Sequence, residues 1–241
     1  MTTYDAIGDA YDLVYPDTTE RVPFVKKLLK NHSTRSVLEL GIGTGLFAIP
    51  LREAGFDIEG LEISQVMIDV VDERAPGLKV HLGDMRKYSI NRRYDAILAL
   101  SSVLVFVSNE QEVKQCLQRC YDHLEPRGIL LLELPNHSVE IGLNNFSQEI
   151  YRSKDNNTIV VMQCAVQGRD WNETWHIFRN NGAELSHREV VCQEFLYSPA
   201  ALSRQLTEVG FEVVETYGDL FGNPFDESNS WRRVLICEKK D

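Results

Sequence analysis

The segment Val37-Leu-Glu-Leu-Gly-Ile-Gly-Thr-Gly45 constrains this chain more than any other. A short apolar run reads as a buried strand, and glycines at 41, 43 and 45 then turn the backbone before a helical stretch. Glycine takes positive φ at little cost and lets a backbone approach a ligand closely. A strand that passes into a helix through such a turn belongs in a parallel sheet with helices on both faces.

The residues that follow repeat the alternation. Strands are expected at 36–40, 57–62, 78–82, 94–100 and 129–134. Between them the sequence predicts a helix over 46–54 stopped by Gly55, and one capped by Ser64 that runs to Glu73. Ser108-Asn-Glu-Gln111 reads as a capping box that opens a third helix, ending near Leu124. After Pro135 the pattern changes. Segments 148–152, 158–167, 173–179 and 189–196 are rich in Val, Ile, Thr, Tyr and Trp and are separated by polar turns, as antiparallel hairpins are. Ser198-Pro199 then starts a helix that ends at Gly210, and strands at 211–217 and 232–238 close the chain. The expected fold class is α/β, one Rossmann-like domain over 1–241. Its seven-strand, mostly parallel sheet carries helices on both faces and a small antiparallel β insertion between strands five and six.

Composition excludes some roles. A formal net charge of −11 opposes nucleic-acid binding, which runs on surplus Lys and Arg. The longest apolar run, 97–107, is interrupted by Ser101 and Ser102 and is far short of the roughly 20 residues a membrane helix needs. The start of the chain shows no secretory pattern, and five cysteines at irregular spacing read as reduced thiols, so the expected location is cytoplasmic. Cys116 and Cys120 lie four apart on one helix, but no matching Cys or His pair follows, so no metal site is expected.

Two details separate the glycine turn from that of nicotinamide and flavin enzymes. The dinucleotide pattern needs a glycine at position 46, where this chain has Leu46. Glu39 also stands two residues before the first glycine, where it would repel a pyrophosphate but suit an ammonium and a sulfonium. Glu39-Leu-Gly-Ile-Gly-Thr-Gly45 resembles motif I of class I S-adenosylmethionine-dependent methyltransferases. The resemblance continues through Glu62 at the end of strand two, Gly83-Asp-Met-Arg86 after strand three, 95–101, and Leu124-Glu-Pro-Arg-Gly128 before strand five. It implies S-adenosyl-L-methionine as cofactor. Glu62 would hold the ribose hydroxyls, Asp84 the adenine amine, and Met85 would pack on the ring. Gly41, Ile42, Gly43, Ile63, Leu100 and Ser101 complete the implied cofactor set, with Tyr15 and Arg21 added from the N-terminus.

The N-terminal segment resembles that of bacterial small-molecule methyltransferases, notably the N,N-dimethyltransferases of amino-sugar biosynthesis. That resemblance implies a helical lid over 1–32 and an insertion, 146–196, that shapes the acceptor site. Tyr11 and Tyr15, four apart on a helix, share one face of the lid. Asn136 and His137 follow strand five at the carboxyl edge, where open α/β sheets bind ligands. Trp175 and His176 are acceptor candidates in the insertion, but alternation lets only one of them face a given pocket. Methyl transfer to an N or O atom of a small-molecule acceptor needs in-line geometry at about 3–3.5 Å rather than a covalent nucleophile. Tyr11, Tyr15 and His137 are the candidates for a base. The alternative is a non-catalytic cofactor-binding partner subunit. No membrane partner is expected, and a homodimer is compatible with the sequence.

Overall fold

The computed structural model describes residues 2–15, 18–139 and 146–240. Met1, Pro16 and Asp17 of the expected lid lie outside them. Helices α1 (Thr3–Ile7) and α2 (Tyr11–Val14) open the chain, followed by α3 (Val22–Asn31). Strand β1 (Ser36–Leu40) leads through the glycine turn to α4 (Ala48–Glu53) and β2 (Asp57–Glu62). Next come α5 (Gln65–Arg74), β3 (Val80–Leu82), β4 (Tyr94–Ala99), α6 (Glu110–His123) and β5 (Leu124–Pro135). The insertion is four strands, β6 (Phe146–Arg152), β7 (Thr158–Gln167), β8 (Asp170–Asn180) and β9 (Leu185–Phe195). Helix α7 (Pro199–Val209), β10 (Phe211–Tyr217) and β11 (Arg232–Lys239) complete the fold.

Among the described residues the strands form two sheets. The larger has the order β10-β11-β5-β4-β1-β2-β3, and the smaller β6-β7-β8-β9. Strands β5, β4, β1, β2 and β3 pair in parallel, whereas β11 is antiparallel to both β5 and β10. The insertion is antiparallel throughout. This is the expected architecture, with the insertion between the fifth and sixth strands of the main sheet.

Alternation within each strand feeds two cores. Leu38, Leu40, Ile97 and Leu130 pack under α6 and α7. Val37, Ile58, Leu98 and Ile129 pack on the other face, with α3, α4 and Val71 of α5. Both faces of the central strands are thus dry, as near-continuous apolar runs require. Side-chain caps fix four helix starts: Thr2 accepts from the Asp5 N–H, Ser64 from the Met67 N–H, Asn109 from the Glu112 N–H, and Ser198 from the Ala201 N–H. Asn109, not Ser108, therefore caps α6, because only its side chain meets the free N–H two residues into the helix.

A third core joins the N-terminus to the insertion. Ile7, Ala10 and Val14 pack against Val160, Trp175, Ile177 and Cys192. The N-terminal helices thus lie against the smaller sheet, and α1 also touches α5 beside the cofactor-side turn. Among the described residues no helix is long and apolar enough to cross a membrane.

Candidate active site

A cavity of about 520 Å³ opens at the carboxyl ends of β1, β2 and β4. Its floor is formed by Gly41, Gly43, Glu62 and Ile63. The loop after β3 contributes Asp84 and Met85, and the β4 turn contributes Leu100, Ser101 and Val103. Tyr4, Tyr11 and Phe106 cover it, and Val191 to Gln193 of β9 close one wall. The structure therefore gathers Gly41, Gly43, Glu62, Ile63, Asp84, Met85, Leu100, Ser101 and Tyr11 of the expected set around one space.

The glycine turn has the left-handed geometry that its composition allows. Gly41 and Gly43 sit at φ 62° and 55°. A Cβ on Gly41 would lie 2.3 Å from Cγ2 of Val103, so only glycine lets the β1 and β4 turns touch. Glu62 is buried and its carboxylate caps this turn. Oε2 accepts from the Gly43 N–H at 2.9 Å, and Oε1 accepts from the Ile63 and Ser64 N–H groups at 2.8 and 2.9 Å. Burial raises its pKa, opposed by those three N–H donors. A carboxylate has about four acceptor sites, so one remains for a ligand hydroxyl.

Glu39 and Ile42 sit behind the turn rather than along the cavity. Glu39 is 4 % exposed, and its Oε2 has no hydrogen-bond partner. Burial pushes its pKa up to about 8. One oxygen of this buried carboxyl has no partner, and a cationic ligand at the turn would favour its ionised form. Asp84 faces the cavity but is held by Arg86, whose Nη2 lies 2.6 Å from Oδ2. The Arg86 guanidinium keeps the Asp84 pKa below the usual carboxylate range and also donates to Glu112 at 3.0 Å.

The N-terminal segment is tied to this floor at two points. Ser64 Oγ donates to Asp5 Oδ1 at 2.6 Å, and Thr44 Oγ1 donates to Asp12 Oδ1 at 2.6 Å. Asp12 is also ion-paired with Arg74. Above the ties runs an aromatic row with ring-centroid spacings of 5–6 Å: Phe106, Tyr4, Tyr11, Tyr15 and Trp175. Burial raises the pKa of Tyr4 and Tyr11 well above that of a free tyrosine, so both are neutral phenols at physiological pH. Tyr4, Phe106 and Thr44 were not among the expected site residues, although Tyr4 carried the same aromatic signal as Tyr11.

Other expected residues stand elsewhere. Arg21 stacks over Phe47, with its guanidinium carbon 5.3 Å from the ring centroid. Asn136 is buried, and its side-chain N–H groups donate to the carbonyls of Glu227 and Ser230 at 2.9 and 2.8 Å. That amide closes a loop instead of meeting a ligand. His137 lines a separate small cleft with Tyr197 and Arg233. Trp175 is 1 % exposed and Tyr15 touches its ring, while His176 on the opposite face stacks with His187. Neither Trp175 nor His176 lines the cavity. Cys116 and Cys120 are buried in the core.

Residues 17–216 match the methyltransferase domain family. Among curated relatives, the dTDP-3-amino-3,6-dideoxy-alpha-D-glucopyranose N,N-dimethyltransferase of Streptomyces fradiae is 26 % identical over 226 residues, covering 86 % of this chain and 84 % of that protein. The glycine/sarcosine N-methyltransferase of Aphanothece halophytica is 28 % identical over 202 residues, covering 81 % and 73 %. The solved CcbJ methyltransferase of Streptomyces caelestis superposes with a TM-score of 0.83 at 23 % identity, over 100 % of this chain and 99 % of that one. The glycine turn, the sheet order and the family match agree, and the chain belongs to the methyltransferase domain family.

Proposed function

We propose that this methyltransferase moves a methyl group from S-adenosyl-L-methionine to an amine nitrogen of a small molecule. The observation that carries the reading is one cavity with two unlike sides. One side is the glycine turn with Glu62 and the Asp84–Met85 loop, and the other is Tyr4, Tyr11, Phe106 and the edge of β9. The first side suits the donor. Glu62 takes a ribose hydroxyl, Met85 meets the adenine, and the donor's positive charge beside the turn draws the Glu39 carboxyl toward its ionised form.

The second side suits the acceptor. The N-terminal segment forms the lid and the insertion shapes acceptor choice. The donor supplies an activated methyl on a sulfonium, so the protein's task is to hold the nucleophile in line and exclude water. Neutral tyrosine hydroxyls can accept from an amine N–H and so aim the nitrogen lone pair at the methyl group. An amine that arrives unprotonated needs no base to attack. Two relatives described as N-methyltransferases support nitrogen over oxygen.

The experiment is transfer of labelled methyl from S-adenosylmethionine to a panel of amino sugars and amino acids, each paired with its hydroxyl analogue. Label on amines and not on the paired hydroxyl compounds supports the proposal. Label only on hydroxyl compounds overturns it.

A further inference from the structure

The turn that ends β4 depends on a buried carboxylate outside the set described above. Ser101 and Ser102 take φ 49° and 61° in succession. Residues with a Cβ rarely adopt this region, and two in a row next to a cavity must be imposed by their surroundings. Two side chains from neighbouring strands do so. Glu133 of β5 is 3 % exposed, and its Oε2 accepts from the Ser101 N–H at 2.8 Å. Arg232 of β11 donates through Nη1 to Ser102 Oγ at 3.1 Å.

The register explains why Glu133 can reach. Ala99 is paired with Leu132 in the β4–β5 ladder, so Glu133 stands one step beyond the last paired residues, beside the turn. The consequence lies on the other side. Leu100, Ser101 and Val103 line the cavity, and Val103 occupies the space left by the missing Cβ of Gly41. Relaxing Ser101 toward an extended conformation would move Val103 away from the glycine turn. Both turns would then change shape together.

We infer that Glu133 is a positioning residue for methyl transfer, holding the Ser101–Ser102 turn against Gly41 so that the donor cavity is preformed. The inference rests on the reading of that cavity as the donor site. It assigns Glu133 no contact with substrate.

The test is titration of S-adenosylhomocysteine into full-length wild type, Glu133→Ala, Glu133→Gln and the double variant Glu133→Ala/Ser101→Gly, with circular dichroism confirming the fold. Loss of a charge-assisted acceptor predicts affinity about tenfold weaker for Glu133→Ala. Glu133→Gln keeps an acceptor oxygen and should bind within about threefold of wild type. Glycine takes positive φ freely, so the double variant should regain most of the loss, a rescue that a purely structural role for Glu133 would not give. A folded Glu133→Ala with wild-type affinity overturns the inference. If Glu133→Ala does not fold, Arg232→Met tests the same turn through Ser102. A threefold or greater loss there supports the inference, and an unchanged affinity overturns it. A wild type that does not bind the ligand overturns the reading of the cavity itself.

Discussion

Thr44 of the glycine turn donates its hydroxyl to Asp12 of the N-terminal segment at 2.6 Å, which ties the roof of the cavity directly to its floor. Thr44 is 1 % exposed, so the donor end of the bond is shielded from water. A hydrogen bond to a charged group contributes about 1.5–3 kcal/mol. Thr44→Val should therefore loosen residues 3–14, seen as faster amide exchange over α1 and α2, and weaken S-adenosylhomocysteine binding several-fold. Exchange and affinity both unchanged would show that the tie does not hold the lid.

Glu39 makes stability depend on pH with a definite sign. An unfolded glutamate titrates at 4.5, and in the folded chain burial pushes Glu39 to about 8. Between those values the folded state holds the proton more tightly, so this contribution to stability is present below the lower value and lost as pH rises to the upper one. Each pH unit across the window weakens the fold by up to about 1.4 kcal/mol. Glu39→Gln removes the effect. Thermal midpoints measured from pH 5 to pH 9 should show the variant gaining on the wild type as pH rises. A constant difference between the two proteins would contradict the assignment.

Trp175 and His176 separate packing from binding. Trp175 is buried where the insertion meets Ile7, Ala10 and Val14, so Trp175→Ala should cost about 3–5 kcal/mol. His176 lies on the other face of the same strand, and His176→Ala should change stability by no more than about 0.5 kcal/mol. Neither lines the cavity, so acceptor turnover should be near wild type for His176→Ala. A large fall in turnover for that variant, with stability intact, would move the acceptor site to the outer face of the insertion.

Local pattern made much of the molecule legible. The glycine spacing located the β1 turn, the apolar runs located the parallel strands, and the β-branched segments with polar turns located the insertion. The opposite facing of Trp175 and His176 followed from strand alternation alone. Helix α4 begins at Ala48 rather than Leu46 because the backbone remains in a turn through Phe47. What stayed hidden depends on contacts distant in sequence. The Asn136 side chain meets the carbonyls of Glu227 and Ser230, about ninety positions away, so a loop amide that suggested a ligand contact is structural. Glu133 read as one polar residue in an apolar strand, and the two serines after β4 gave no hint of positive φ. Tyr4 and Phe106 come together only because the N-terminus folds back over the main sheet.

The most direct test is calorimetric titration of S-adenosylhomocysteine into wild type and Glu62→Ala, with NAD as the control ligand. Glu62 lines the cavity and braces the glycine turn through the Gly43 N–H, while the Ile63 and Ser64 N–H groups hold its other oxygen. The account predicts one-to-one binding by the wild type, at least about tenfold weaker binding by a folded Glu62→Ala, and no heat with NAD. Binding of NAD without binding of S-adenosylhomocysteine, or equal S-adenosylhomocysteine affinity in the two proteins, would contradict it.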